Sequence, residues 1–164
     1  MAIYGGMIGG VLTCIVFCRK KKINLLDLTD FIVPQLALGQ TIGRLGNFIN
    51  VEAYGTQTNS FLKMGILKNG NYIEVHPVFL YEMVVTLFIF IILSIRQRKF
   101  KGELTYLYFI IYGFFRAILE SLRIDSLMLG NMRVSQIFSV ILFVLFLSIL
   151  TYNRYKLKTK EILN

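Results

Sequence analysis

Four long apolar runs divide the chain: Ala2 to Cys18, Val78 to Ile95, Leu104 to Leu122 and Val134 to Tyr152. Each is near the ~17–25 residues a helix needs to cross the hydrocarbon of a bilayer. A fifth and weaker run, Leu28 to Gly43, is interrupted by Pro34, Gln35, Gln40 and Thr41, and hydropathy alone does not decide it. The stretch Asn59 to Asn71 is polar and contains glycine, and it reads as an exposed loop.

Charge decides the doubtful run. Twelve of the 18 basic residues fall in three clusters: Arg19 to Lys22; Arg96, Arg98, Lys99 and Lys101; and Arg154, Lys156, Lys158 and Lys160. Each cluster follows an apolar run, the pattern of loops on the cytoplasmic side of a membrane. An even number of crossings must separate the first two clusters. Val78–Ile95 is one crossing, so Leu28–Gly43 is expected to be the other. Leu45 to Pro77 then lies outside, Arg123 to Arg133 forms a short outer loop, and the basic tail returns inside. The expectation is an all-α, polytopic membrane protein with about five transmembrane helices and an outer-face loop region, folded as a single membrane-embedded domain over residues 1–164.

Local signals fit this frame. Asp27 or Asp30 is expected to cap the weak span, which puts Pro34 near its first turn, where proline disturbs a helix least. Gly102 breaks the chain before Leu104, and Glu103 suits the N-terminus of the next helix. The charges of Ala2–Cys18 follow the apolar run and do not precede it, which suits a retained span more than a signal peptide.

Composition narrows the classes. Of 164 residues 55% are hydrophobic and 16% charged, with mean hydropathy +0.63, where soluble domains carry about 25% charged residues. Disorder is excluded by this hydrophobicity, and a disulfide scaffold by a count of 2 Cys. The net charge of +9 does not point to nucleic acid, because no basic stripe with interleaved aromatics stands outside the three clusters.

The remaining charges carry the chemistry. A charge at the centre of a bilayer costs ~2.5–3.5 kcal/mol on insertion scales, so such groups face a protein interior or a cavity. Arg44 ends the weak span, Glu52 follows it, Glu82 sits near the outer start of Val78–Ile95, and Arg116 and Glu120 lie within Leu104–Leu122, with Arg123 and Asp125 just beyond. Arg116 is twelve residues from Leu104, or ~18 Å along a helix, in the outer half of the membrane. Tyr112, Arg116, Glu120 and Arg123 follow at spacings of four, four and three and share one helix face. A single ion pair between Arg116 and Glu120 would serve only to join helices. Several arginines at one depth, with the amides Asn47 and Asn50, instead suit an anion, since the arginine fork binds phosphate bidentately. At the outer interface that phosphate is most readily a lipid headgroup.

The stretch Gly43-Arg44-Leu45-Gly46-Asn47-Phe48-Ile49-Asn50-Val51-Glu52-Ala53-Tyr54-Gly55 resembles the signature G-R-x-G-N-F-x-N-x-E-x-x-G of the prolipoprotein diacylglyceryl transferase family at every specified position. His76-Pro77-Val78-Phe79-Leu80-Tyr81-Glu82 is similar to its H-P-x-x-L-Y-E block. Tyr112-Gly113-Phe114-Phe115-Arg116 with Glu120, Arg123, the run Asp125 to Gly130, Arg133 and Gln136 resembles its C-terminal region, and Ile3-Tyr4-Gly5-Gly6 its early block ending in Gly-Gly. The blocks come in family order over nearly the whole chain.

The resemblance implies transfer of a diacylglyceryl group from phosphatidylglycerol to the lipobox cysteine thiol of a preprolipoprotein signal peptide, leaving a thioether and glycerol 1-phosphate. It implies no metal and no organic cofactor. Membrane lipids are then the surroundings and one substrate, in the bacterial cytoplasmic membrane with the site toward the outer face. On this reading Arg44 and Arg116 clamp the headgroup and leaving group, Asn47 and Asn50 position the glycerol, and Glu52 and Glu120 orient the arginines or shape the pocket. Gly55, His76, Glu82, Tyr112 and Arg123 complete the binding residues. The base that takes the thiol proton is open between Tyr4, Tyr112 and a carboxylate; Tyr4 stands where some members have His.

The family pattern also has two membrane segments upstream of the early Gly-Gly block, so the chain is expected to be N-terminally truncated relative to it. An inactive or split fragment and a small membrane transport subunit are the rival readings. His76, the only His, suits a structural hydrogen bond beside Pro77 at least as well as catalysis. Cys14 and Cys18 read as small hydrophobes.

Overall fold

The computed structural model describes residues 2–68, 70–124, 128–129 and 132–163. Five helices follow the expected runs: α1 (Ala2–Lys21), α2 (Leu25–Ile49), α3 (Val78–Ile95), α4 (Glu103–Leu119) and α5 (Val134–Leu163). By length and composition α3 and α5 are apolar enough to cross a membrane. α2 packs on α3, α3 on α4, α4 on α5, and α1 against α2. Val33 and Ala37 of α2, Ile89 and Leu93 of α3, and Leu104 and Tyr108 of α4 form the buried core.

The outward surfaces are apolar too. Val84, Leu87, Phe88 and Ile91 of α3 and Phe138, Ile141, Val144 and Leu145 of α5 are exposed. A helix that is hydrophobic all round has no water-facing side, and these surfaces are suited to lipid.

The cap of α2 differs from expectation. Asn24 is the capping residue, its side chain accepting the Leu26 N–H at 2.9 Å. The helix therefore begins at Leu25, and Pro34 lies at its tenth position, inside the helix and past the first turn. Asp30 is freed for another task. It is buried and caps α4, accepting the backbone N–H of Gly102 at 2.7 Å and of Thr105 at 2.9 Å, and the Thr105 hydroxyl at 2.8 Å. Gly102, with φ of 89°, makes the turn into α4 in a region few other residues adopt.

Glu103 is fully buried beside this cap. Its carboxylate takes Arg96 and Arg154, each at 2.9 Å, and the Lys99 N–H at 2.6 Å. Asp30 and Glu103 together knot α2, the α3–α4 turn and α5 at the basic end of the bundle. Replacing Asp30 with alanine leaves two helix-start N–H groups without their acceptor, while the Thr105 hydroxyl keeps only Thr29 at 2.9 Å. The expected loss is about 2 kcal/mol, read as a lower thermal midpoint in detergent.

The other end holds structure that the all-α expectation lacked. Within the polar stretch, β1 (Met64–Lys68) pairs antiparallel with β2 (Asn71–Val75), with Ile66 opposite Ile73. A second, two-residue hairpin joins β3 (Met128–Leu129) and β4 (Met132–Arg133). The first hairpin exists because Ile66 and Val75 have an interior to enter, and both are buried. Residues 55–58 knit this region together: Gly55 N–H donates to His76 O at 2.8 Å, and Thr56 N–H to Leu122 O at 3.0 Å.

Candidate functional site: an arginine cluster at one end of the bundle

Arg44 lies near the C-terminus of α2, Glu82 near the N-terminus of α3, and Arg116 near the C-terminus of α4. Because α3 runs opposite to α2 and α4, all three meet at one end. Glu120 sits in the 3-10 turn Glu120–Leu122 that ends α4, and Arg123 directly follows it.

Glu82 is the hub. It is 4% exposed, and its two carboxylate oxygens are paired with Arg44 and Arg116, while Arg123 Nη1 stands 3.8 Å away. Three guanidiniums from three separate elements therefore share one carboxylate. Glu120, 1% exposed, pairs with Arg116 Nη2 at 2.9 Å. Arg133, at the entrance to α5, donates to the backbone carbonyl of Glu120, and Gln136 Nε2 donates to Ala117 O at 3.0 Å. The end of α4 is thus held from α5 as well.

Among the described residues, Arg44, Arg116 and Arg123 face the buried carboxylates Glu82 and Glu120, with Arg133 on a backbone carbonyl beside them, so the arginines outnumber the carboxylates. Pairing is expected for buried charge, since an unpaired ion in a low-dielectric interior is costly. Arg44 also donates to Asn47 Oδ1 at 3.2 Å, one helical turn away, which aims both residues the same way.

The structure brings Arg44, Asn47, Glu82, Arg116, Glu120 and Arg123 together. Glu52 and Asn50 stand apart from the ion pairs. Asn50 is exposed and ends α2, with its N–H on Gly46 O at 2.9 Å. Glu52 is exposed, with no ion pair among the described residues, and its N–H meets Asn47 O at 2.9 Å. The ion pairs expected of Glu52 and Glu120 are made by Glu82 and Glu120. Glu52 is flanked by Val51 and Ala53 with φ of 54° and 56°, which is uncommon for residues other than glycine and a marked outlier for a β-branched side chain.

Tyr112 shares the α4 face of Arg116 and stacks on Tyr108, with ring centroids 5.7 Å apart. His76 Nδ1 is 3.2 Å from the Tyr81 hydroxyl, a local bond above α3. The Tyr4 side chain and Asp125 lie outside the described residues. Arg133 was legible in the sequence only as part of a motif, and nothing there marked it as a site residue.

Gly55 contributes by its lack of a side chain. A Cβ there would lie 2.7 Å from both Leu122 O and Val78 Cγ2. The chain passes this close because Gly55 pairs with Arg123 in an isolated antiparallel bridge. Alanine at Gly55 is expected to push the Arg123 backbone outward, at a cost of about 1–3 kcal/mol. The check is a lower midpoint together with earlier proteolysis between residues 50 and 63.

A family model for prolipoprotein diacylglyceryl transferase matches residues 1–152. The chain belongs to the prolipoprotein diacylglyceryl transferase family. Among curated relatives, a phosphatidylglycerol–prolipoprotein diacylglyceryl transferase of Finegoldia magna is 47% identical over 147 residues, covering 88% of this chain and 58% of the relative. One of Listeria monocytogenes is 44% identical over 167 residues, covering 96% and 60%. One of Thermotoga petrophila is 42% identical over 156 residues, covering 88% and 53%. The chain therefore spans less than two thirds of the length of these relatives. The family consists of bacterial membrane enzymes, and the apolar α3 and α5 agree with that setting.

Proposed function

We propose that this family member transfers a diacylglyceryl group from phosphatidylglycerol to the lipobox cysteine of a prolipoprotein. The observation that carries the reading is the convergence of Arg44, Arg116 and Arg123 on Glu82 with positive charge in excess. In this reading all five helices cross the membrane. The arginine cluster opens toward the outer leaflet, and the basic clusters lie in the cytoplasm.

The reaction joins sulfur to carbon and releases phosphate. The thiol gives up its proton, because the thiolate is the nucleophile. The sulfur lone pair forms the C–S bond to the glyceryl carbon of the lipid. The C–O bond to the phosphate breaks, its electron pair stays on the phosphate oxygen, and glycerol 1-phosphate leaves. A phosphodiester carries one negative charge, and the departing monoester carries up to about two. The positive groups therefore hold the products' phosphate more strongly than the substrate's, and this difference lowers the barrier.

Each residue has a place in that scheme. Arg44 and Arg116 bind the phosphate, with Arg123 and Arg133 adding to the field. Glu82 and Glu120 keep the guanidinium planes aimed. Asn47, beside Arg44, takes the glycerol hydroxyls, and Asn50, Glu52 and Gly55 border the mouth. The thiol's base is Tyr112, Tyr4 or a carboxylate; Glu82 is the weakest choice because both of its oxygens are engaged by arginines.

The test mixes the purified chain in proteoliposomes with phosphatidylglycerol and a peptide carrying a lipobox cysteine. A peptide mass increase by one diacylglyceryl group, stable to hydroxylamine as a thioether is, supports the reading. Product formation unchanged by Arg44→Ala, or no product from the intact chain, overturns it.

A further inference from the structure

Phe61 is fully exposed and Leu62 is 54% exposed, in a loop whose neighbours Thr56 to Ser60 are polar or amide residues. Their level relative to α3 is fixed by a bond. The Tyr81 hydroxyl donates to the Leu62 carbonyl at 3.2 Å, and Tyr81 is the fourth residue of α3. Helical side chains lean toward the N-terminus, so this hydroxyl stands at about the level of the helix's first residue.

The length of α3 then sets the depth. Its 18 residues span about 27 Å, close to the ~30 Å hydrocarbon core. A helix with so little excess length begins at the hydrocarbon boundary itself. Leu62 and its neighbour Phe61 are therefore held at the plane where acyl chains meet headgroups. An aromatic ring left fully exposed at that plane is stable in lipid and costly in water. Tyr81, whose hydroxyl is polar and whose ring is apolar, is itself suited to such a boundary.

We infer that Phe61 and Leu62 form a wedge inserted into the leaflet on the arginine-cluster side, with the acyl–headgroup region of that leaflet as its partner. The inference rests on the proposed reading of α3 as a membrane span. Tyr81, which anchors the wedge, immediately precedes Glu82, the hub of the cluster. The wedge therefore enters the leaflet on the side of the bundle that holds the arginine cluster.

The chain contains no Trp, so single-tryptophan variants report one position each. Phe61→Trp and a control, Phe88→Trp at the middle of α3, are reconstituted in vesicles with lipids brominated either near the ester or near the chain end. Phe88 is half exposed on the outward surface of α3. The expected result for Phe61→Trp is blue-shifted emission, quenched several-fold more strongly by the shallow bromines than by the deep ones. Phe88→Trp shows the reverse order. Water-like emission of Phe61→Trp without lipid quenching, while Phe88→Trp is quenched, overturns the wedge and leaves the span standing. Absence of quenching at both positions overturns the wedge together with the span reading beneath it.

Discussion

Alanine at Arg116 is expected to lower kcat/KM for diacylglyceryl transfer by about 100–1,000-fold, the usual effect of removing one preorganised donor to a developing anion. Among the described residues, Arg116 is the one guanidinium paired with both carboxylates of the cluster, Glu82 and Glu120. Its loss removes a charge where, in the proposed reaction, the phosphate gains one, and it also releases two acids from their common partner. Lysine at the same position is expected to rescue poorly, because a point charge cannot bridge two carboxylates as a planar fork does. Kinetics with a lipobox peptide and phosphatidylglycerol vesicles check this. A loss under tenfold would mean that the phosphate is bound elsewhere.

Removing the shared carboxylate should act mainly on stability. With Glu82→Ala, Arg44, Arg116 and Arg123 face one another across the space that the carboxylate occupied. Breaking a buried pair by deleting one partner costs about 3–5 kcal/mol, and here three guanidiniums lose their shared carboxylate, although Arg116 keeps Glu120 and Arg44 keeps Asn47. The thermal midpoint in detergent should fall by more than for Asp30→Ala. Glu82→Gln, which keeps the shape and one acceptor oxygen, should fall between wild type and Glu82→Ala. An unchanged midpoint for Glu82→Ala would show that the arginines find other acceptors, and that Glu82 is not the hub.

Much of this arrangement could be read from the residue pattern. The basic clusters at Arg19–Lys22 and Arg96–Lys101 called for a membrane crossing over Leu28–Gly43, and a helix, α2, occupies that place. The spacing of Tyr112, Arg116, Glu120 and Arg123 set one face, and the Arg44 signature supplied the opposing side. What escaped were contacts made at long range. Asp30 looked like a cap for its own helix because local capping is what a sequence displays. Its real partners, Gly102 and Thr105, are 72 and 75 residues away.

Which carboxylate pairs with the arginines escaped for a similar reason: Glu52 was expected beside them, and the ion pairs fall on Glu82 and Glu120. Glu52 and Glu82 both stand in motif blocks, and residue type alone cannot say which carboxylate the arginines reach. The hairpin was missed differently. Asn69-Gly70 between alternating apolar positions is a strong turn signal, but the polarity of the whole stretch outweighed it. Tyr81, one residue before Glu82, also gave no sign that it fixes the height of the loop above it.

The Asp30–Glu103 knot lies at the opposite end of the bundle from the arginines. α2 and α4 are therefore pinned to each other at two far-apart levels, by carboxylate-to-amide bonds at one and by guanidinium bridges at the other. Between those levels the Tyr108 hydroxyl of α4 donates to Gln40 of α2 at 2.9 Å. Two rods riveted at both tips and once along the shaft cannot slide like pistons, and a sideways opening between them would require at least one rivet to break.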